Sequence, residues 1–321
     1  MEASVSEIKL FPLETMDIHE PNLWEFFGYM IDRQDAWYNR TILGKPRPWT
    51  KNKWIQKHKF CNVYRELDRS SQWLINEVFI KSREKGLMIE DLILAIFIFR
   101  IYNRPEVFQV IDIPTYDDFD LDDFIGCLDD LKSQGVPVLN PAAYRIYSYM
   151  GKNDLYREYA RVFIPQLRER IPRIIKARKS PEQVIGIMRE IHGIGVFISH
   201  EFYMDMTYLN RYVESGIFPF TEDDWTAVLP GSQRGIRYLF PSLKGERQKD
   251  AIYVLRDISG GFFSDLGGFK YLQWDKKNGY SVSSKGSVTL HTIEFNLCEY
   301  QKFKKIINGV GRQPIFNPKT F

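Results

Sequence analysis

Residues 180–209, SPEQVIGIMREIHGIGVFISHEFYMDMTYL, constrain the fold more tightly than any other stretch. Ser180 is a helix N-cap, Pro181 suits the first helical position, and Glu182 places a carboxylate at the positive helix end. Val184, Ile185, Met188 and Ile191 follow at i, i+1, i+4 and i+7, so one face is apolar until the helix stops at His192-Gly193. A second helical pattern, ISHEFYMDMTYL, begins almost at once. The two helices must therefore be joined by a tight turn carrying Gly193 and Gly195. Glycine permits unusual backbone geometry there, and without a Cβ it lets a phosphate approach the N–H groups that open the second helix. Such a turn anchors a nucleic-acid backbone without reading sequence. An ordinary connection between packed helices would use the same pattern.

The rest of the chain reads as mostly helical. Residues 22–43 have aromatic and aliphatic positions at helical spacing and end at the breaker GKPRPWT, which predicts an N-terminal helical arm over residues 1–45 and a main domain over 46–321. A second helical stretch is expected from Trp54 to Phe79. DLILAIFIFRIY, Asp91 to Tyr102, is apolar all round and predicts a buried central helix. Residues 141–172 read as helix interrupted by Pro165, residues 279–289 as β-like, and residues 292–307 as a last helix. No internal repeat is visible.

The 321 residues carry 44 Lys and Arg against 41 Asp and Glu, a net charge of +3, which excludes a diffusely cationic binder and requires any nucleic-acid footprint to be local. Arg168 to Lys179 is one basic run, and Tyr116 to Asp130 is acidic. Aromatics at 15% suit both a core and base stacking. Cys61, Cys127 and Cys298 are too far apart in sequence for a zinc or cluster motif and are expected to be reduced thiols. His192, His200 and His291 have neither metal-site nor triad spacing, so no metal or cofactor is expected. The start MEASVSEIKL lacks the pattern of an export signal, and no apolar run reaches spanning length, so a cytoplasmic monomer with no membrane association is expected. No GxxxxGK[ST] phosphate loop occurs.

Five blocks carry a family resemblance: NVYRELDRSSQWLI (62–75), FIFRIYNRPEVF (97–108), IHGIGVFISHEFYMDMTY (191–208), FTEDDWTAVLPGSQRGIRYLF (220–240) and TIEFNLCEYQKF (292–303). Their order resembles the α-glutamyl/putrescinyl thymine pyrophosphorylase-like clade, which is related to the helical domain of 5-hydroxymethyluracil DNA kinases and belongs to the helix-hairpin-helix DNA glycosylase superfamily. The resemblance implies a mainly α, glycosylase-like fold with two helical lobes around a cleft and a small β-like C-terminal insertion. It also implies a substrate of double-stranded DNA containing modified pyrimidines. Val196 stands where the family often has Pro, and VLPGSQRG replaces a more glycine-rich version.

Glycosidic bond cleavage passes through an oxocarbenium-like sugar that a carboxylate must stabilise. Asp224 matches the clade's acidic position, with Thr221 expected to cap a helix whose first turn holds Glu222 and Asp223. Asp224 lies 29 positions beyond Gly195, so Asp205, Glu222 or Glu214 could take that role. The turn residues Gly193, Gly195, Val196 and Phe197, with Arg234 and Arg237, are candidates for DNA contact. Arg65, Asp68, Arg69 and Gln72, spaced as one helix face, join Trp225, Glu294 and Asn296 as candidate substrate-pocket residues, with Glu299 beside them. The expected activity is a monofunctional glycosylase excising a bulky 5-modified pyrimidine from viral DNA in antiviral defence. Val196, Phe197, Ile198 and Ser199 follow Gly195 and the next lysine is Lys244, so no amine is placed to cut the strand. A transferase displacing pyrophosphate from a modified hydroxymethyluracil, and a non-catalytic reader of modified DNA, fit the same residues.

Overall fold

The computed structural model describes residues 16–140, 154–311 and 315. Helices α1 (Glu20–Trp37), α2 (Lys53–Lys57), α3 (Arg69–Trp73), α4 (Ile89–Tyr102), α5 (Pro105–Val110), α6 (Leu121–Ser133) and α7 (Leu155–Glu158) come first. They are followed by α8 (Ile164–Ala177), α9 (Pro181–Arg189), α10 (Val196–Thr207), α11 (Leu209–Tyr212), α12 (Pro230–Leu239), α13 (Arg247–Asp265) and α14 (Leu290–Ile307). Strands β1 (Tyr271–Asp275) and β2 (Gly279–Ser283) form one antiparallel hairpin between α13 and α14. The fold is mainly α, with the expected small β element near the C-terminus. Among the described residues no helix is long and apolar enough to cross a membrane. Part of the helix expected over 141–172, namely 141–153, and the N-terminal decapeptide lie outside the described residues.

Contacts divide the chain into two compact units, one of residues 1–64 with 226–321 and one of residues 65–225. Helix α1 therefore clusters with the C-terminal helices. In the first unit Phe26, Phe27, Phe263, Phe269, Tyr300 and Phe303 are buried, and Phe263 stacks on Phe269 with centroids 4.1 Å apart. In the second, every residue of α4 from Leu92 to Tyr102 is buried, as its apolar circumference requires. The Asp91 carboxylate accepts the Met88 N–H at 2.7 Å to close the start of α4, and Asn103 ends it in the left-handed region at φ 46°.

The structure corrects two expectations. The single helix expected from Trp54 to Phe79 is broken: α2 ends at Lys57, a short 3₁₀ turn spans Arg65–Leu67, and Asp68 is extended (ψ 145°) before α3, which continues as a wider turn to Phe79. Thr221 caps no helix, because residues 222–224 form one turn and helix resumes only at Pro230. Strand β1 and the long α13, which runs through Gly260 and Gly261, have no counterpart among the sequence expectations. Within α13 a Cβ at either glycine would meet nothing within 4 Å, so both lie on an open face where glycine costs only about 1 kcal/mol of helix propensity.

Helices α12 and α14 approach so closely that side chains are excluded at the crossing. A Cβ on Gly235 would lie 2.2 Å from the Leu297 carbonyl oxygen, and one on Gly231 would lie 2.2 Å from Cys298 Sγ. The thiol can rotate away, but the backbone carbonyl cannot. Gly235→Ala is therefore expected to destabilise the protein by about 1–3 kcal/mol, and Gly231→Ala by less, as read from urea unfolding midpoints. Equal midpoints for Gly235→Ala and the unaltered chain would rule out the close-packing account.

Candidate functional site

Unit 65–225 encloses a set of charges that its apolar surroundings oblige to pair. Helix α10 presents Glu201 and Asp205 one turn apart on the same face. Arg100, fully buried on α4, donates from Nε and a terminal nitrogen to the two Asp205 oxygens at 2.7 and 2.6 Å. Arg65, from the 3₁₀ turn, donates to Asp205 at 3.2 Å and pairs with Glu201 at 2.9 Å. Two guanidinium groups thus neutralise two carboxylates. Burial by itself would push the Glu201 carboxyl up, but Arg65, then His200 and Arg100, hold it far below the usual carboxylate range.

A second group lies nearer the surface of the same unit. Glu66, adjacent to Arg65, and Glu222, from the turn after Phe220, are both buried and both converge on Arg211 of α11, at 2.7 and 3.1 Å. The Arg211 side chain keeps 37% of its exposure, so its outer edge faces solvent. Burial raises the Glu222 carboxyl; Arg211 offsets part of that rise and Glu66 adds to it. Tyr208 is 1% exposed, and its hydroxyl has no hydrogen-bond partner among the described residues. Burial, then the nearby Glu66 carboxylate, pushes its ionisation well above the usual value. A carboxyl with raised proton affinity beside a half-exposed guanidinium can exchange a proton with a bound reactant while the guanidinium holds an anion.

The four carboxylates singled out in the sequence have different surroundings. Asp205 is sealed inside the arginine network. Asp224 is exposed, and its carboxylate turns back to accept hydrogen bonds from the Thr221 backbone N–H and, at 2.9 Å, from its hydroxyl. Glu222 alone combines burial, a raised affinity for its proton and a cationic partner that reaches solvent. Glu214 is exposed and pairs with Arg83 at 3.5 Å.

The turn joining α9 and α10 spans residues 190–195. Ser180 accepts the Gln183 N–H at 3.4 Å, Gly193 has φ 87°, and Gly195 is the extended N-cap of α10. A Cβ at Gly195 would meet nothing within 4 Å, and Val196 and Phe197 are exposed beside it. The opening of α10 is therefore accessible. Of the basic run before it, Arg173 makes two hydrogen bonds to Glu190 and Arg168 donates to the Tyr116 carbonyl. These side chains brace the fold.

Arg65, Asp68, Arg69 and Gln72 do not share a helix face, because the extended Asp68 separates them. Arg65 is buried, Gln72 donates to the Glu66 carbonyl at 2.5 Å, and Arg69 is exposed, 3.8 Å from Glu106. Trp225 packs its ring edge-on to Tyr203 at 5.4 Å. Glu294 and Asn296 belong to the other unit, buried on α14, where Asn296 donates to the Val63 carbonyl at 2.9 Å. Glu299 on the same helix accepts the Cys61 N–H at 2.9 Å. Arg234 and Arg237 lie on the exposed side of α12.

The family model described as the helical domain of 5-hmdU DNA kinase matches residues 20–310. The chain belongs to that family. A protein named 5-hmdU DNA kinase, from Bacillus phage SP10, is 25% identical over 295 residues, covering 88% of this chain and 45% of the relative. The chain therefore spans less than half of that curated relative's length. No solved structure matches it.

Within this helical-domain family member, Arg100, Glu201, Glu66, Arg211 and Tyr208 escaped the sequence reading. A signal for Arg100 was present: a single cation in an apolar helix must find a buried carboxylate, and Glu201 and Asp205 stand four residues apart in the next apolar helix. Nothing local linked Glu66, Arg211 and Glu222, which are distant in sequence.

Arg100→Met leaves Asp205 buried with half its compensation and is expected to cost about 3–5 kcal/mol in urea unfolding, much of it recovered when Asp205→Leu is added. A double variant no more stable than the single one would refute the pairing account. For Glu222 the folded value lies above the ordinary 4.5, so the contribution is full below about pH 4.5 and is lost as pH rises through the folded value. Subtracting the stability–pH profile of Glu222→Gln from that of the parent should show this decline, and parallel profiles would contradict it.

Proposed function

We propose that this chain binds duplex DNA carrying hydroxymethyluracil-derived bases and acts on the 5-substituent as a transferase, with Glu222 as its acid–base group and Arg211 as the anion-holding group. The observation that carries this reading is the match of residues 20–310 to the helical domain of 5-hmdU DNA kinase. It moves the weight from excision of the base, the activity expected from the sequence, to chemistry at the 5-methylene carbon. In the reaction an amine forms a C–N bond at that carbon as the C–O bond to pyrophosphate breaks. Pyrophosphate departs toward a cation, and a proton leaves the new ammonium for a carboxylate. The raised affinity of Glu222 for protons makes its ionised form the better base, and the half-exposed guanidinium of Arg211 suits the departing anion. The open N-terminus of α10 supplies a phosphate anchor.

Base excision remains the second reading, favoured by one observation: a carboxylate follows a turn whose helix N-terminus is open. The two reactions leave different products from 5-hmdU DNA that has been pyrophosphorylated and mixed with amines. Released pyrophosphate with a heavier base in nucleoside mass spectra is expected; alkali-labile abasic sites would replace this reading by excision, and neither product would exclude both.

Two variants test the roles. Glu222→Gln is expected to lower turnover by about 10²–10⁴-fold with DNA affinity retained. Gly195→Glu places a side chain and a negative charge at the phosphate anchor without a clash inside the protein, so affinity should fall for all duplexes alike. Full duplex affinity across a salt series in Gly195→Glu would overturn the anchor.

A further inference from the structure

The net positive charge of the chain is confined to one segment. Residues 36–64 contain seven Lys and Arg and no Asp or Glu, so the remaining residues carry four more acids than bases. Lys45, Arg47, Lys51, Lys53, Lys57 and Lys59 are all exposed. The segment is held in a defined shape. The Lys45 N–H donates to the Asn39 carbonyl at 2.9 Å, Asn39 Nδ2 donates to the Trp49 carbonyl at 2.8 Å, and Trp49 Nε1 donates to the Lys45 carbonyl at 2.7 Å. Gln56 Nε2 donates to the Thr50 carbonyl at 2.7 Å, and Asn52 caps α2. At its end Phe60 is buried against Tyr29 and Phe303, at 5.7 and 6.0 Å, which secures the segment to the core of its unit.

Aromatic rings are interleaved with these cations. Arg40 and Arg47 lie over Trp49 at 5.2 and 5.4 Å, and Lys53 lies over Trp54 at 5.2 Å. Both indoles are partly exposed. Arg47 also donates to the Gln56 carbonyl at 2.5 Å and Trp54 stacks on His58 at 6.1 Å, so the exposed lysines supply the charge toward phosphates while the exposed part of the Trp54 ring is what a base can reach. Cations that follow a backbone, alternating with stacking rings, are what an unpaired nucleic-acid strand requires; a duplex hides the base faces these rings would use.

We propose that residues 40–59 form a binding surface for single-stranded DNA, separate from the phosphate anchor at the start of α10. The cations of the surface contact phosphates, and Trp54 stacks on a base. An enzyme that acts on a base within duplex DNA must open that duplex, and a surface selective for unpaired strand would hold what is opened.

The test is binding of the full chain to a fluorescein-labelled oligothymidylate across a salt series. Lys51→Gln, Lys53→Gln and Lys57→Gln together are expected to reduce the slope of log affinity against log salt by about 2, since each phosphate contact on single strands contributes about 0.7. Unfolding midpoints of this triple variant should match the parent. Trp54→Leu should remove part of the tryptophan quenching seen when unlabelled oligothymidylate binds. Gly195→Glu should lose duplex affinity and keep oligothymidylate affinity, while the triple variant does the reverse. An unchanged slope in the triple variant overturns the proposal whatever the duplex result. So does lysine-dependent co-sedimentation with phosphatidylserine vesicles in a chain that fails to bind oligothymidylate.

Discussion

Arg100 and Asp205 form the interaction on which unit 65–225 depends. A guanidinium in the middle of an apolar helix is tolerable only with a carboxylate in bonding geometry, and the cost of leaving either alone exceeds that of any single apolar contact. Because Arg100 uses two nitrogens on two oxygens, it specifies the rotation of α10 as well as its distance from α4. Arg65 and Glu201 complete the compensation and bring the 3₁₀ turn to the same helix.

That placement has consequences at both ends of α10. At its start, residues 190–195 present an open N-terminus. Beyond its end, α11 carries Arg211 to the adjacent residue of the 3₁₀ turn, Glu66, and to Glu222. Adjacent residues thus have different tasks: Arg65 faces the sealed network, and Glu66 faces the group with a solvent-reaching cation. Close cations hold the inner Glu201 carboxyl far below its usual range, whereas Glu222 shares one guanidinium with a competing carboxylate and holds its proton more strongly. Of the two groups, only the outer one joins a carboxyl of raised proton affinity to a cation that reaches solvent.

Much of the helical skeleton was legible because its signals are local. Ser180-Pro181 marked the start of α9, the glycines marked the turn, and the uniform apolarity of DLILAIFIFRIY marked α4. The misreadings share a cause. The spacing of Arg65, Asp68, Arg69 and Gln72 fits one helix face, but Arg65 is drawn into the network of α4 and α10, and the chain breaks at Asp68 to permit it. The residues after Thr221 resemble a helix start, but the carboxylate of Asp224 closes a single turn there.

The sequence by itself determined the mainly helical class, the turn between α9 and α10, the local concentration of charge and the family, since each depends on residue periodicity, composition or order along the chain. Only the tertiary structure decided how the surroundings of the candidate carboxylates differ. Asp205, Glu222 and Asp224 are chemically alike and lie within twenty residues of one another. What separates them is burial and the number of cations within reach, and those cations, Arg100, Arg65 and Arg211, come from three different elements brought together by folding.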